Sequence, residues 1–274
     1  MNFEDHAKEL ILSLIDSGEV EAVLGEKTEH GRVIPALFKT KQDLENLVLS
    51  SKYGVAQTVI EIQKTNPEQK LGVIVHGCDE RALIELAKQN KVDLSKLRLI
   101  GVACSEENAR ACFCYNPNPS RVEIGMPLEG LIIAPQGEFE VQIDALEKMT
   151  VNEKLEFWKY QFSKCIKCYA CRDNCPTCVC DQCILEDDMW VKKGVIPPEF
   201  PSFHLIRMYH MTQKCTGCGE CEAACPVEIP LLTIQYQIIN DMIDLFEFEA
   251  GESREQLPPL NTSEEDVPLR GDEC

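Results

Sequence analysis

The sequence predicts an N-terminal α/β domain with a small parallel-strand unit, followed by an α-helical domain. Three observations support this prediction. Two short apolar segments flank an amphipathic one between residues 71 and 104, helical periodicity dominates from residue 150, and one cysteine motif occurs twice in the helical part. We expect the α/β domain to span residues 1–149, the helical domain 150–247, and an acidic, disordered tail 248–274.

The composition is that of a globular protein with an acidic surface. Of its 274 residues, 46 are Asp or Glu and 27 are Lys or Arg, which gives a formal net charge of −19 at pH 7. Such a charge repels phosphate groups, so the composition argues against nucleic-acid binding. No apolar run approaches the roughly 18 residues of a membrane span, and the N-terminus lacks the basic and apolar regions of a secretory signal. We therefore expect a cytoplasmic protein without a membrane span.

The first elements of the α/β domain follow from short-range patterns. Apolar residues recur at helical spacing within residues 4–17, which predicts an amphipathic helix. Residues 20–25 and 32–38 flank a polar His-Gly turn, which predicts a hairpin.

A strand–helix–strand unit is expected in the middle of this domain. Residues 71–77 and 97–104 are apolar and strand-like, and residues 79–89 between them place their apolar side chains on one helical face. Such a unit implies two parallel strands joined by a right-handed crossover. A further short strand is expected at residues 130–135.

The helical domain begins with a capping box. Thr150 and Glu153 have the spacing in which each side chain caps the backbone of the other, and apolar residues then recur at helical spacing up to Cys165. The same pattern returns 50 residues later, ahead of Cys215. A last helix is expected after Pro230, from the apolar residues Leu231, Ile234, Ile238, Met242 and Leu245.

Each of these two repeats contains the motif CxxCxxCxxxCP. Three thiolates at this spacing suit three corners of a cubane iron–sulfur cluster, and in two-cluster ferredoxins the fourth cysteine binds the other cluster. We therefore expect two [4Fe–4S] clusters. The first is assigned to Cys165, Cys168, Cys171 and Cys225, and the second to Cys215, Cys218, Cys221 and Cys175.

Zinc sites and disulfides are the alternatives for these cysteines. CxxC pairs also suit tetrahedral zinc, but zinc seldom needs a third cysteine at the same interval followed by Cys-Pro. Disulfides are disfavoured because the cysteines lie too close together to cross-link distant segments, and because no export signal is present.

Three further cysteines lie between the motifs, namely Cys178, Cys180 and Cys183. The two clusters do not need them, and the sequence leaves their role open. They either bind no metal, hold a further metal with a ligand from elsewhere, or replace a ligand in the cluster assignment. His204 and His210, on a predicted helix, are the candidates for that missing ligand.

Four more cysteines belong to the α/β domain. Cys78 follows the first predicted parallel strand, Cys104 ends the second, and a loop from the same sheet edge carries Cys112 and Cys114. Open α/β sheets place their ligands at this edge, and the positive end of the helix starting at Cys78 favours a negatively charged, thiolate-bound cluster. We expect a third [4Fe–4S] cluster there, with ordinary buried cysteines, flavin contact or zinc as the alternatives.

The chain resembles two known groups of proteins. Helices ahead of each cysteine motif are similar to the α-helical ferredoxin domain that joins subunits in respiratory and hydrogenase-type complexes. Five segments resemble the beta-subunit family of coenzyme F-420 hydrogenases and dehydrogenases, in a version fused to a C-terminal dicluster domain. They are SSKYG (50–54), HGCDERALIEL (76–86), IGVAC (100–104), KCIKCYACRDNCPTCVCDQC (164–183) and KCTGCGECEAACPVEIPL (214–231).

This resemblance implies an iron–sulfur electron-transfer subunit of an anaerobic redox complex, of the hydrogenase, formate dehydrogenase or heterodisulfide-reductase type. Its partners are then other subunits of such a complex, and the chain itself need not be a catalyst. Members often contain FAD, but this sequence has no GxGxxG or other recognisable phosphate-binding loop. A flavin-containing oxidoreductase subunit that reduces a deazaflavin or nicotinamide coenzyme is therefore the alternative function, and a zinc-binding scaffold is the third.

Overall fold

The computed structural model describes residues 2–49, 54–111, 116–129 and 138–259, without the side chains of 111 and 138–142. By its internal contacts the chain divides into two compact units, residues 1–132 and 133–274. The boundary expected between residues 149 and 150 lies further along the chain and stays a prediction. No helix within the described ranges is long and apolar enough to cross a membrane.

The first unit opens with helix α1, Phe3–Asp16. Asn2 caps this helix, because its Oδ1 accepts a hydrogen bond from the backbone N–H of Glu4 at 3.4 Å. The buried face of α1 consists of Ala7, Ile11 and Leu14, which stand at the helical spacing seen in the sequence. The predicted N-terminal helix is confirmed.

Among the described residues, five strands form one mixed sheet: β1 (Ala22–Glu29), β2 (Arg32–Phe38), β3 (Leu47–Val48), β4 (Leu71–Val75) and β5 (Leu97–Gly101). The order is β2-β1-β4-β5, with β3 also paired to β1. Strand β1 runs antiparallel to β2 and β3 and parallel to β4, which is parallel to β5. Both the predicted hairpin and the predicted parallel unit are confirmed.

The helices of this unit after α1 are α2 (Ala56–Thr65), α3 (Gly77–Lys88) and α4 (Glu106–Ala111). Helix α3 is the crossover between β4 and β5. It begins two residues before the predicted start because Asp79 caps it, with the backbone N–H of His76 donating to Asp79 Oδ2 at 3.0 Å. Short 3₁₀ turns span Asp43–Asn46 and Leu94–Lys96. The strand expected at residues 130–135 lies outside the described residues.

The hydrophobic core of this unit packs α1 against the sheet. Its buried members include Ile11 from α1, Val23 and Phe38 from the hairpin, and Ile74 and Ile100 from the parallel strands. Burial of such a side chain is worth roughly 1.5–3 kcal/mol. The parallel strands are thus anchored on this face.

The second unit is helical, with α5 (Glu138–Lys148), α6 (Val151–Ser163), α7 (Ala170–Asp173), α8 (Ser202–Met211), α9 (Glu220–Ala223) and α10 (Leu231–Phe246). A 3₁₀ turn spans Ile184–Glu186. The expected capping box opens α6, since the backbone N–H of Thr150 donates to Glu153 Oε2 at 2.8 Å and the N–H of Glu153 donates to Thr150 Oγ1 at 3.4 Å. The predicted fold class, an α/β region followed by a helical one, is confirmed.

The segment expected to be a disordered tail begins with a packed turn. Glu247 has a left-handed backbone, with φ of 50°, and this residue reverses the chain after α10. The N–H of Phe248 then bonds to the carbonyl of Met242 at 3.3 Å, and Phe248 and Ala250 are buried against Met242. Residues 248–250 are therefore packed in this structure, and the disorder expected for the tail stays a prediction. Residues from 260 onward lie outside the described residues.

Candidate metal centres

The second unit contains two cavities lined by thiols. Cavity A has a volume of about 340 Å³, part of it open to solvent, and its cysteines are Cys165, Cys168, Cys171 and Cys225. Cavity B, of about 400 Å³ and also partly open, has Cys175, Cys215, Cys218 and Cys221. These are the two sets of four that the sequence assigned to the two clusters. The structure therefore brings each set together around one cavity, and ligation by each set stays a prediction.

Each cavity takes its thiols from both repeats. Cys175 belongs to the first motif but lines cavity B, whereas Cys225 belongs to the second motif and lines cavity A. The short helices α7 and α9, which follow the second cysteine of each motif, pack against one another. This packing places the fourth cysteine of each motif beside the first three of the other.

The backbone of the two motifs is duplicated along with the sequence. Lys167 and Tyr169 in the first motif have φ of 56° and 61°, and Gly217 and Gly219 in the second have φ of 65° and 77°. Left-handed residues that alternate with right-handed ones form concavities lined by backbone N–H groups, an arrangement common at iron–sulfur sites. The N–H of Lys167 points to the Cys165 thiol at 3.4 Å. The local backbone thus supplies hydrogen-bond donors for negatively charged sulfur.

Burial raises the pKa of several of these thiols. It does so for Cys165 and Cys171, and it raises the pKa of Cys221 well above the ordinary value. A buried thiol resists ionisation because its thiolate loses hydration, whereas a coordinated thiol is deprotonated by the charge of the metal. Thiols in these surroundings would lose their protons on binding a metal rather than to solvent.

The wall of cavity A is mostly apolar apart from its thiols. It includes Phe203, Val227, Ile229 and Leu231. One polar side chain, His204, is buried there and stacks on the Phe162 ring with centroids 3.9 Å apart. Burial lowers the pKa of His204 to about 4, so the imidazole is neutral at pH 7. His204 therefore lies in the same cavity wall as the first set of thiols. His210, on the same helix, is exposed.

The wall of cavity B holds a buried cation that the sequence analysis missed. Arg207, on α8, is 4% exposed and lines the cavity. Its Nη2 donates to the backbone carbonyl of Cys171 at 2.9 Å, and the thiol of Cys175 lies beside the guanidinium. The sequence carries one signal of this difference, since the first repeat has the uncharged Phe157 where the second has Arg207.

Among the described residues, no three or more His, Cys, Asp or Glu side chains converge so that they could hold a single metal ion. A cubane does not need such a group, because its four cysteines bind four different irons. The three cysteines between the motifs are nonetheless near one another. Cys178 lies close to Cys180 and Cys183, and burial raises the pKa of its thiol to about 11. Cys180 is exposed, and Cys183 packs against the aromatic cluster around Phe203. Their role, including a further metal site, stays open.

The cysteines assigned to a third cluster are only partly described. Cys78 lies in the first turn of α3 and Cys104 follows β5, each of them partly buried, while Cys112 and Cys114 lie outside the described residues. A loop at residues 116–121 covers this edge of the sheet. A third cluster therefore stays a prediction.

That loop is held by buried polar groups of α3. The backbone N–H and the hydroxyl of Ser120 donate to the Glu80 carboxylate at 2.5 and 2.6 Å, and Arg81 Nη1 donates to the carbonyl of Asn116 at 2.6 Å. The loop also passes so close to Gly101 that a Cβ there would lie 1.8 Å from the carbonyl oxygen of Arg121. The loop at residues 116–121 thus closely covers the carboxyl edge of the parallel strands.

Residues 208–230 match a protein-family model described as a 4Fe-4S binding domain. The match covers the second cysteine motif from Cys215 to Cys225. The second cysteine motif, from Cys215 to Cys225, is therefore an iron–sulfur motif.

Two curated relatives are similar to about half of the chain. The F420-dependent formate dehydrogenase subunit beta of Methanocaldococcus jannaschii is 37% identical over 147 residues, which are 53% of this chain and 37% of the relative. The F420-dependent formate dehydrogenase 1 subunit beta of Methanococcus maripaludis is 36% identical over 147 residues, 54% of this chain and 37% of the relative. The matched part thus spans little more than a third of either relative. The resemblance to dehydrogenase beta subunits, seen first in short segments, is confirmed.

Proposed function

We propose that this chain is an iron–sulfur electron-transfer subunit, with one [4Fe–4S] cluster in cavity A and one in cavity B. It relays single electrons between redox centres of partner subunits. The observation that supports this most strongly is the crossed arrangement of the thiols. Three cysteines of one motif and the fourth of the other line each cavity, as ligation in two-cluster ferredoxins requires.

The surroundings of the thiols favour a relay over a catalyst. A one-electron carrier needs no group that binds or protonates a substrate, and the wall of cavity A offers mainly apolar side chains and the neutral His204. When bound, the clusters supply the redox chemistry. The residues of the chain hold the sulfur ligands, exclude part of the water and fix the separation of the two sites.

The type of complex follows from the relatives. Both are named as beta subunits of F420-dependent formate dehydrogenases, so a formate dehydrogenase assembly is the first candidate. Hydrogenase and heterodisulfide-reductase assemblies are the other two. In each, a flavin, cluster or metal centre of another subunit exchanges electrons with this chain.

A second candidate function is a flavin-containing subunit that reduces a deazaflavin or nicotinamide coenzyme. The names of the relatives favour it, since both enzymes depend on F420. The third cluster, on Cys78, Cys104, Cys112 and Cys114, is compatible with either function, because it would extend the electron path into the first unit. Flavin released on heating an anaerobically purified sample would support the second candidate.

The iron content of the anaerobically purified full-length chain tests the proposal. Two cubanes give about eight iron atoms with equal sulfide, and a third gives about twelve. Cys168→Ser and Cys218→Ser should each remove or alter one cluster signal in electron paramagnetic resonance. Cys180→Ser, which changes an exposed cysteine outside both sets, is the matched control and should leave both signals in place. An iron content near four, or none after reconstitution, would overturn the proposal.

A further inference from the structure

The feature on which this inference rests is Arg207, the buried cation in the wall of cavity B. Arginine stays charged in proteins, and burial of an unpaired charge is costly. Yet Nε and Nη1 of Arg207 have no hydrogen-bond partner among the described residues, although both atoms are buried. The third nitrogen, Nη2, donates to a neutral acceptor, the Cys171 carbonyl. The thiols of Cys175 and Cys178 lie beside the guanidinium.

This arrangement is complete only with a negatively charged group in cavity B. Four thiolates give a protein-bound cubane a net negative charge, and the sulfur atoms of such clusters accept hydrogen bonds from N–H groups. The two unpartnered nitrogens of Arg207 are suitable donors at the cavity wall. Their burial is thus explained by a cluster ligand set that includes Cys175.

Arg207 lines cavity B and not cavity A, although its guanidinium also lies near the Cys171 thiol of the first set. Cavity A is lined instead by His204. In the sequence register of the duplication, the first repeat has Phe157 in place of Arg207. The two thiol sets are therefore similar in ligands but unequal in their electrostatic surroundings.

We propose that Arg207 is a positioning residue that sets the order of the two cluster potentials, giving the cluster in cavity B the higher reduction potential. Reduction adds one negative charge to a cluster, and a buried positive charge nearby stabilises that state. In a chain that has taken up one electron, that electron then resides on the cluster in cavity B. This inference rests on the proposed function, since it requires a cluster in each cavity.

A redox titration of the anaerobically purified full-length chain, followed by electron paramagnetic resonance, tests the inference. The wild-type chain should show two distinct midpoint potentials. Cys218→Ser should remove or alter the higher-potential signal, and Cys168→Ser the lower one. Arg207→Gln should lower the higher potential more than the other, and Arg207→Lys, which keeps the charge but not the planar fork, should restore part of the shift.

Two kinds of result would overturn the inference. One is an Arg207→Gln variant with wild-type iron and sulfide and unchanged potentials, or with the larger shift in the cluster of cavity A. The other is a wild-type chain whose two clusters share one potential, or whose higher potential belongs to the cluster in cavity A. This result needs no arginine variant, so it tests the inference even if Arg207→Gln fails to fold. Absence of iron from the wild-type chain would instead contradict the proposed function itself.

Discussion

Tyr169 and Gly219 occupy equivalent places in the two cysteine motifs, and both have a left-handed backbone, with φ of 61° and 77°. The second repeat meets this requirement with glycine. The first uses a residue whose Cβ is strained there and which is held by other contacts. The hydroxyl of Tyr169 donates to the carbonyl of Leu185 at 3.1 Å, and Arg172 lies over the Tyr169 ring at 4.6 Å.

Gly219→Ala should therefore destabilise the chain, because the new Cβ would be strained at a φ of 77°. We expect a loss of about 1 kcal/mol in the free energy of unfolding, measured by urea denaturation followed by circular dichroism. Gly219→Asn is the matched control, since asparagine tolerates this conformation better, and its loss should be smaller. Equal losses for alanine and asparagine would contradict the explanation by backbone strain.

The ion pair between Arg98 and Glu123 should make the stability depend on pH. Burial raises the pKa of Glu123, but the hydrogen bonds from Arg98, at 2.9 and 2.6 Å, together with the charges of Arg98 and Arg121, outweigh burial, so the pKa lies below the ordinary value of 4.5. A carboxyl group with a lowered pKa stabilises the fold above its ordinary pKa, and the contribution is lost as the pH falls through the folded-state value.

Glu123→Gln should accordingly lower the free energy of unfolding by about 1 kcal/mol at pH 7 and by less at pH 4. The control is Glu19→Gln, which removes the other carboxylate bonded to Arg98. That side chain is 51% exposed, so water screens the pair and the effect should be smaller. A Glu123→Gln loss that does not change with pH would exclude this ion pair as the source.

Phe248 should contribute to stability although it lies in a segment of tail-like composition. Its side chain is 1% exposed and packs with Met242 and Ala250. Phe248→Ala should cost about 3 kcal/mol, seen as a lower urea midpoint, because it leaves a cavity in this cluster. Leu257→Ala, at a side chain that is 51% exposed, should change the midpoint little. Equal effects would mean that residues around 248 do not pack in solution.

The thiols of the two cavities should ionise late in a chain from which iron has been removed. Burial raises the pKa of Cys165, Cys171 and Cys221 above the ordinary value of 9.0. Thiolate absorbance of the folded, metal-free chain should thus rise at a higher pH than that of the chain unfolded in urea.

A Cys221→Ser variant provides the control for this titration, because it should reduce the part of the absorbance change that occurs at the highest pH. Identical titration curves for the folded and unfolded chains would show that the cavities open when iron is removed.

Much of this architecture could be predicted from local pattern. Helix α1, the hairpin and the parallel unit follow from apolar periodicity, and the pairing of Cys175 and Cys225 with the opposite motifs follows from their spacing. The burial of Arg207 and the packing of Phe248 could not be foreseen, because both depend on contacts between segments far apart in sequence or after a chain reversal. The left-handed backbone at Lys167 could not be foreseen either, because in a sequence it is glycine that indicates such a conformation.

The exchange of one cysteine between the two motifs has a consequence for how either repeat could be lost during evolution. A fragment that ends before α8 retains Cys175 but has lost the other three thiols of cavity B, and its cavity A lacks Cys225. Neither half is thus a smaller working version of the whole. Once the duplication had arisen, deletion of either copy would have dismantled both sites, so selection on one site protects the other.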